Sequence, residues 1–292
     1  MRPWIPLLTA TGIAVTAPLS AQPPRALLVT AHPDDDAAFA GAVYQIAHKL
    51  TGVVDLALVT DGSGGFRYAT LAEPIYGMNL TDESVARQYL PAIRKRELMA
   101  GGAIVGIRKY FFLDELDHEY TLNADTVLRA VWDSAAVRER LEDIMTRERY
   151  DLVIGMLPFA QMHGHHKSAT ILALLAAQRL PRDRRPVVLG GFPCSLGDGQ
   201  PIAFESLDGF PVTRVTGGQP LVRFDRTQKF GHDDRLDFKI IANWVIAEHK
   251  SQGTMQLLMN QGDEECYWYF DVNDPARRQW VTDVFDRLRI ER

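Results

Sequence analysis

Two cysteines among 292 residues are too few to staple a fold, so the chain is not a small disulfide scaffold, although an even count permits one bridge. Cys194 and Cys266 lie far apart and neither has metal-ligand spacing, which excludes them from any metal site; one disulfide and two buried thiols both stay open. No basic stripe with interleaved aromatics is present, and the balance is mildly acidic at −5, which argues against a nucleic-acid partner. Repeats and low-complexity tracts are absent. The glycine-rich turn Asp61-Gly62-Ser63-Gly64-Gly65 has neither G-x-G-x-x-G nor Walker spacing, so it reads as a loop at the rim of a site rather than a phosphate cradle. Long unbroken apolar runs are also missing. The one candidate, within residues 1–21, is too short and too broken to span a bilayer. Arg2, the apolar stretch IPLLTATGIAVTA and the small residues before Gln22 instead predict a secretory signal peptide, with residues 22–292 as the mature chain and export to a periplasm or beyond.

What is present is ordinary for a globular protein, with 46% hydrophobic and 24% charged residues, and large enough for a sizeable core. Strand and helix signals alternate. Strands are expected at residues 26–31, 54–60, 109–113, 151–157 and 186–189. Helices are expected from near Asp36 (face Phe39, Val43, Ile46, Leu50), then over 84–106, 135–149 and 166–179, with a long loop over 66–81. The alternation predicts an α/β chain with a Rossmann-like, mostly parallel sheet and helices on both faces. After Gly190 the pattern turns to short β-prone runs, a helix through Phe238, Ile241 and Ile246 that carries His249, and the buried strand Tyr267-Trp268-Tyr269-Phe270. Residues 191–292 are therefore a small C-terminal β/α elaboration with its own added sheet.

Two clusters carry chemistry. The first strand ends in His32, and Asp34, Asp35 and Asp36 follow within four positions. That much like charge in one turn calls for a cation, and a divalent metal supplies it; the alternative is that the aspartates cap the next helix. The second cluster, Met162-His163-Gly164-His165-His166-Lys167, also follows an apolar run and opens a helix. His163 and His166, three apart, can face one point. One His from each cluster and one Asp make three protein ligands, the number a catalytic zinc uses while keeping a position for water. Both clusters fall at carboxyl ends of strands, where α/β sheets gather ligands.

These motifs resemble the LmbE/PIG-L family of zinc-dependent N-acetylglucosaminyl N-deacetylases. The AHPDDE-type signature stands as Ala31-His32-Pro33-Asp34-Asp35-Asp36, and the H-x-x-H motif as His163-Gly164-His165-His166. Two weaker features are Arg94 to Glu97 (R-x-x-E) and His249-Lys250-Ser251-Gln252 (H-x-S-Q). Departures are Asp36 where Glu is usual and His165 where many members carry Asp. The resemblance implies an LmbE-like fold and one Zn2+ per chain on His32, Asp35 and His166. It also implies Asp34 as general base, His163 as donor to an oxyanion, and Arg94 and Asp117 as substrate contacts. The implied reaction is hydrolysis of an N-acetyl or N-acyl amide on an amino-sugar-containing small molecule or glycoconjugate, with the aglycone unspecified. Roles for Asp36, His165 and His249 stay open. Two alternatives are an exported sugar-binding protein without catalysis and a non-haem iron oxygenase in which His32, Asp34 and His166 form the triad.

Overall fold

The structure, a computed structural model, describes residues 22–194 and 202–290; the expected signal peptide lies outside the described residues. Nine strands are described: β1 (Arg25–Thr30), β2 (Val53–Thr60), β3 (Ile107–Glu115), β4 (Leu152–Met156), β5 (Val187–Cys194), β6 (Val222–Asp225), β7 (Lys229–Phe230), β8 (Leu236–Asp237) and β9 (Glu264–Tyr269). The helices are α1 (Ala40–His48), α2 (Glu73–Tyr76), α3 (Glu83–Val105), α4 (Ala124–Thr126), α5 (Ser134–Glu148), α6 (Gly164–Arg179), α7 (Phe238–Glu248), α8 (Gly253–Gln256) and α9 (Arg278–Leu288).

Seven strands form one sheet in the order β3-β2-β1-β4-β5-β9-β6. Neighbours from β3 to β5 are parallel, and β9 pairs antiparallel with both β5 and β6. A parallel strand covered on both faces needs apolar residues at every position, which the run Ala26-Leu27-Leu28-Val29 provides. Ala26 and Leu28 enter a core with α1, α3, α7 and α9. Leu27 and Val29 enter the opposite core with α5 and α6. The predicted α/β class with helices on both faces is therefore the observed one.

Several local expectations give way. The turn after β1 is a 3-10 segment, Asp35–Phe39, so α1 starts at Ala40 rather than near Asp36. The expected loop over 66–81 contains a 3-10 run, Phe66–Ala72, followed by α2, because Ala69, Ala72 and Leu80 bury against α3 as a small third cluster. The elaboration adds strands to the edge of the main sheet instead of building a sheet of its own; only the short β7–β8 pair stands apart. Cys194 and Cys266 form a disulfide with Cα atoms 6.0 Å apart, tying β5 to β9. Among the described residues no helix is long and apolar enough to cross a membrane.

The topology fixes where a site can lie. The chain runs outward from β1 through β2 to β3, then returns to lay β4 on the other side of β1. That reversal opens a crevice at the carboxyl ends of β1 and β4. His32 follows β1, and His163, His165 and His166 follow β4 at the start of α6.

Candidate functional site

The backbone N–H groups of Ala31 and His32 donate to Asp35 Oδ2 at 2.9 and 3.0 Å. This local bond curls the chain off β1 and turns the other oxygen, Oδ1, toward the second cluster. Asp35 Oδ1 lies 3.0 Å from His166 Nε2 and 3.9 Å from His32 Nδ1, while the two imidazole nitrogens are 2.8 Å apart. Ligands bound at about 2.0–2.1 Å around a tetrahedral ion sit about 3.3 Å from one another, so the three edges bracket that value. Asp34 occupies the N-cap position of the 3-10 turn without making a side-chain cap bond. Helix capping therefore does not account for the acidic trio, and the oxygen facing His166 belongs to Asp35 rather than Asp34, contrary to the oxygenase triad.

The electrostatics ask for a cation at the same point. Burial disfavours an imidazolium at His32, yet Asp117, by charge and hydrogen bond, with Asp35 and Asp34, outweighs it and holds His32 up to about 9. Asp35 is buried, but His166 and His32 pull its carboxyl well below the usual range. Asp34 moves the other way: burial first and the Asp35 charge second raise it, against the pull of His249, His32 and Arg94. One carboxylate held ionised beside the imidazoles and another kept closer to protonation is the division that a metal ligand and a proton carrier require. Two imidazoles and a carboxylate in this arrangement fit a zinc-type divalent ion.

His163 caps α6 and stacks on Tyr120 with ring centroids 4.8 Å apart. Burial, then the neighbouring His32, His165 and His166, push it down to about 2, so it is a neutral imidazole. His32, Asp34, Asp35, Arg94, Asp117, His163 and His166 all line one cleft of about 1000 Å³, whose rim includes Gly64, Gly65, Tyr68 and Tyr120.

The two expected substrate contacts are heavily engaged by protein. Arg94, 3% exposed, donates to the carbonyls of Gly62, Gly64 and Ser251 and to Ser251 Oγ. Glu97, one turn on, accepts from Ser251 N and Oγ. The R-x-x-E and H-x-S-Q segments thus grip each other and frame the cleft. Asp117 Oδ1 faces His32 Nε2 at 3.5 Å and His165 Nδ1 at 3.4 Å, as a carboxylate orienting a metal-binding histidine does. A Cβ on Gly64 would stand 2.6 Å from the Asp117 carboxylate, and Gly62 has φ +73°; glycine at both lets the loop close over Asp117.

Sequence reasoning left other participants unassigned. His249 Nε2 donates to Asp36 Oδ1 at 2.8 Å in a fully buried pair. The Gln252 amide, oriented to donate, puts its nitrogen 3.3 Å from both Asp34 oxygens. Arg226 donates to the carbonyls of Ala37 and Ala38 and to Glu265, and Glu265 also accepts from Gly41 N and Ala42 N. The H-x-S-Q segment was the one available signal, and only for Gln252 and His249.

The fold and this cluster define an α/β protein with two histidines and an aspartate, able to hold a metal ion, at the switch point of its sheet. Residues 27–177 match the family described as PIG-L: GlcNAc-PI de-N-acetylase, and the chain belongs to that family. A probable N-acetyl-alpha-D-glucosaminyl L-malate deacetylase 2 of Bacillus cereus is 27% identical over 163 residues, which are 56% of this chain and 64% of that protein. The match therefore spans less than two thirds of that relative. Among solved structures, a pseudoaglycone deacetylase aligns over 85% of this chain and 97% of its own, at 19% identity and TM-score 0.55. A 4-carboxy-2-hydroxymuconate hydratase from Pseudomonas putida aligns over 84% and 95%, at 15% identity and TM-score 0.51. Likeness at these identities establishes the fold, and the fold hosts more than one reaction.

Proposed function

We propose that the chain is an exported, zinc-dependent hydrolase that removes an N-acetyl or N-acyl group from an amino-sugar-containing substrate. The observation that carries the reading is the division of labour in one turn. Asp35 faces His32 and His166 as a ligand, whereas Asp34, with its raised pKa, points into the same cleft unbound. A divalent ion held by His32, Asp35 and His166 would polarise the amide carbonyl and acidify a water. Asp34 then accepts the proton of the attacking water and returns it to the departing amine, the step that makes the amine a leaving group. Neutral His163, at the mouth of α6, donates a hydrogen bond to the oxyanion of the tetrahedral intermediate. Gln252 steadies Asp34, and Asp117 fixes the tautomer of His32. Tyr68 and Tyr120, both exposed on the rim, offer flat faces to a sugar ring.

Export is part of the proposal. It rests on the composition of residues 1–21 and is supported by the Cys194–Cys266 disulfide, since such bonds persist in oxidising compartments. Intact-mass analysis of protein from its native host checks it: a chain beginning near Gln22 is expected, and retained Met1 with cytoplasmic location refutes it. The catalytic reading is tested by an acetate-release screen over N-acetylated sugars and their conjugates, with metal content measured on the same sample. About one divalent ion per chain is expected as purified, and His166→Ala should lose both metal and hydrolysis. Activity confined to water addition across a carbon–carbon double bond, with no acetate released, would replace the deacetylase with the hydratase chemistry the fold also hosts.

A further inference from the structure

The two flanks of the cleft differ in chemistry. On the β2–β3 side of His32 the wall is polar, with Gly64 and Gly65 after β2, Arg87 on α3, and Asp117, His118 and Glu119 after β3. On the β4–β5 side it is mostly apolar and begins beside the proposed ligands. Ala37 and Ala38 stand two and three residues after Asp35, and Met162 Sδ lies 3.1 Å from His166 Nδ1. Met156 ends β4, and Phe192 of β5 meets Phe159 edge-on with ring centroids 5.0 Å apart. Arg226 also lines this flank, but its guanidinium is engaged by Glu265 and by the Ala37 and Ala38 carbonyls. Its charge is answered inside the wall. Farther out, Gly253 packs against the Tyr68 carbonyl and Gly262 against Pro193. The segment between them extends the apolar flank outward with partly buried Met255 and exposed Leu258.

We propose that this flank is a groove for the acyl group of the substrate, and that the enzyme releases acyl chains longer than acetyl from an amino sugar. The inference rests on the proposed function and names the acyl class it acts on. A secondary amide is planar and trans, so its acyl and amine substituents leave the scissile bond in opposite directions. With the carbonyl at the point that His32, Asp35 and His166 share, one substituent follows each flank. A sugar needs hydrogen-bond partners, which the polar flank has; its hydroxyls laid against Met156, Met162 and Phe192 would go unpaired. A hydrocarbon chain gains from that same wall with every methylene buried. An acetyl methyl reaches only the inner end. The cleft of about 1000 Å³ stands at the top of the range of about 300–1000 Å³ for drug-sized ligands, and its apolar flank continues to the surface at Leu258.

The test compares N-acetyl-, N-butanoyl-, N-hexanoyl- and N-octanoylglucosamine on metal-loaded protein, read by release of their common product, glucosamine. Each methylene buried is worth about fourfold, so kcat/KM should climb at least about 10²-fold from the acetyl to the octanoyl substrate. The gain should lie mostly in KM, because the chain is held alike in the ground and transition states. Met255→Glu and Leu258→Glu, both on the outer wall, should each lower the octanoyl-to-acetyl ratio at least about tenfold. Calorimetry on metal-free protein gives a reading without turnover, and N-octanoylglucosamine should bind more tightly than N-acetylglucosamine.

A kcat/KM that is flat along the series, or highest for acetyl, overturns the groove and leaves the deacetylase intact. So does an octyl glycoside of N-acetylglucosamine that gains where N-octanoylglucosamine does not, since the flank then holds an aglycone. A ratio unmoved in both variants overturns it as well, because the preference then arises elsewhere. Glucosamine released from no member of the series, with the binding preference intact, overturns the proposed hydrolysis and keeps the groove; with that preference absent, both fall.

Discussion

Glu265 is the residue whose loss should cost most outside the cleft. Its side chain is fully buried and accepts from four donors: Gly41 N at 2.7 Å, Ala42 N at 3.0 Å, Arg226 Nε at 2.8 Å and Tyr267 Oη at 2.7 Å. Glu265→Gln keeps the shape but removes the charge and turns one acceptor into a donor. Arg226, 3% exposed, is then an unbalanced buried cation, and breaking such a pair costs about 3–5 kcal/mol. The orphaned N–H groups at the start of α1 belong to the same network and are not added separately. At about 2–4 °C per kcal/mol for a chain approaching this size, the Tm should fall by roughly 6–20 °C, read by circular dichroism on metal-loaded protein. The double variant Arg226→Met/Glu265→Gln should be less damaged than the sum of its parts, because removing both charges removes the uncompensated one. Arg226 also holds the Ala37 and Ala38 carbonyls, two and three residues after Asp35, so on the proposed ligand set the single variant should bind zinc more weakly. A Tm loss below about 2 °C, or strict additivity in the double variant, refutes the reasoning.

Four further outcomes are expected. Asp34→Asn should keep its metal while hydrolysis falls about 10²–10⁴-fold, the range of a positioned acid–base, and Asp35→Ala should release the metal; metal analysis showing the reverse would exchange their roles. His163→Ala should retain the metal and lose about 10²–10³ in kcat with little change in KM, whereas loss of the metal would make His163 one of its ligands. His249 is buried, which opposes its cation, but Asp36 by charge and hydrogen bond raises its pKa above the ordinary value. Its contribution to stability is thus full below the unfolded histidine value near 6.5 and lost as pH rises through the higher folded one. Denaturant melts should show this loss on the alkaline side in wild type and not in His249→Gln. Replacing both Cys194 and Cys266 by Ser frees a loop of 72 residues and should lower stability by at most about 4 kcal/mol on a loop-entropy basis; an unchanged melt would mean that β5–β9 pairing alone confines the unfolded ends.

The legible part of the site is the part built from short segments. His32, Asp34 and Asp35 lie within four positions, and His163, His165 and His166 within another four, each run following an apolar strand. Strand ends in an alternating α/β chain converge at one edge, so two clusters found separately in sequence meet in space without further information. The same reasoning recovers the parallel sheet, because Ala26-Leu27-Leu28-Val29 and Leu152-Val153-Ile154 are apolar at every position, as only a doubly covered strand needs to be. Where expectation failed, a local pattern was ambiguous. Residues 66–81 contain too few periodic apolar positions to announce the 3-10 run and α2, which are held by burial against α3 rather than by propensity. Helix α9 went unassigned in the sequence although it carries a plain apolar stripe in Trp280, Val281, Val284, Phe285 and Leu288.

The illegible part is the support. Asp36 and His249 are 213 residues apart, Glu265 and Gly41 are 224 apart, and Arg226 reaches Ala37 across 189. Each pair is brought together by the antiparallel edge formed by β9 and β6 or by the packing of α7, and no spacing rule predicts which strand will close an open sheet. Yet these contacts decide whether the motif residues can work. Arg226 holds the Ala37 and Ala38 carbonyls, in the turn that follows Asp35. Asp34 stays free of a cap bond with its oxygens toward Gln252, three residues beyond the histidine that Asp36 binds. The family match ends at residue 177, while Arg226, which holds the turn after Asp35, and Gln252, the partner of Asp34, come from beyond it. On the proposed function, substitutions in the C-terminal third should therefore tune metal affinity and activity without touching either histidine motif.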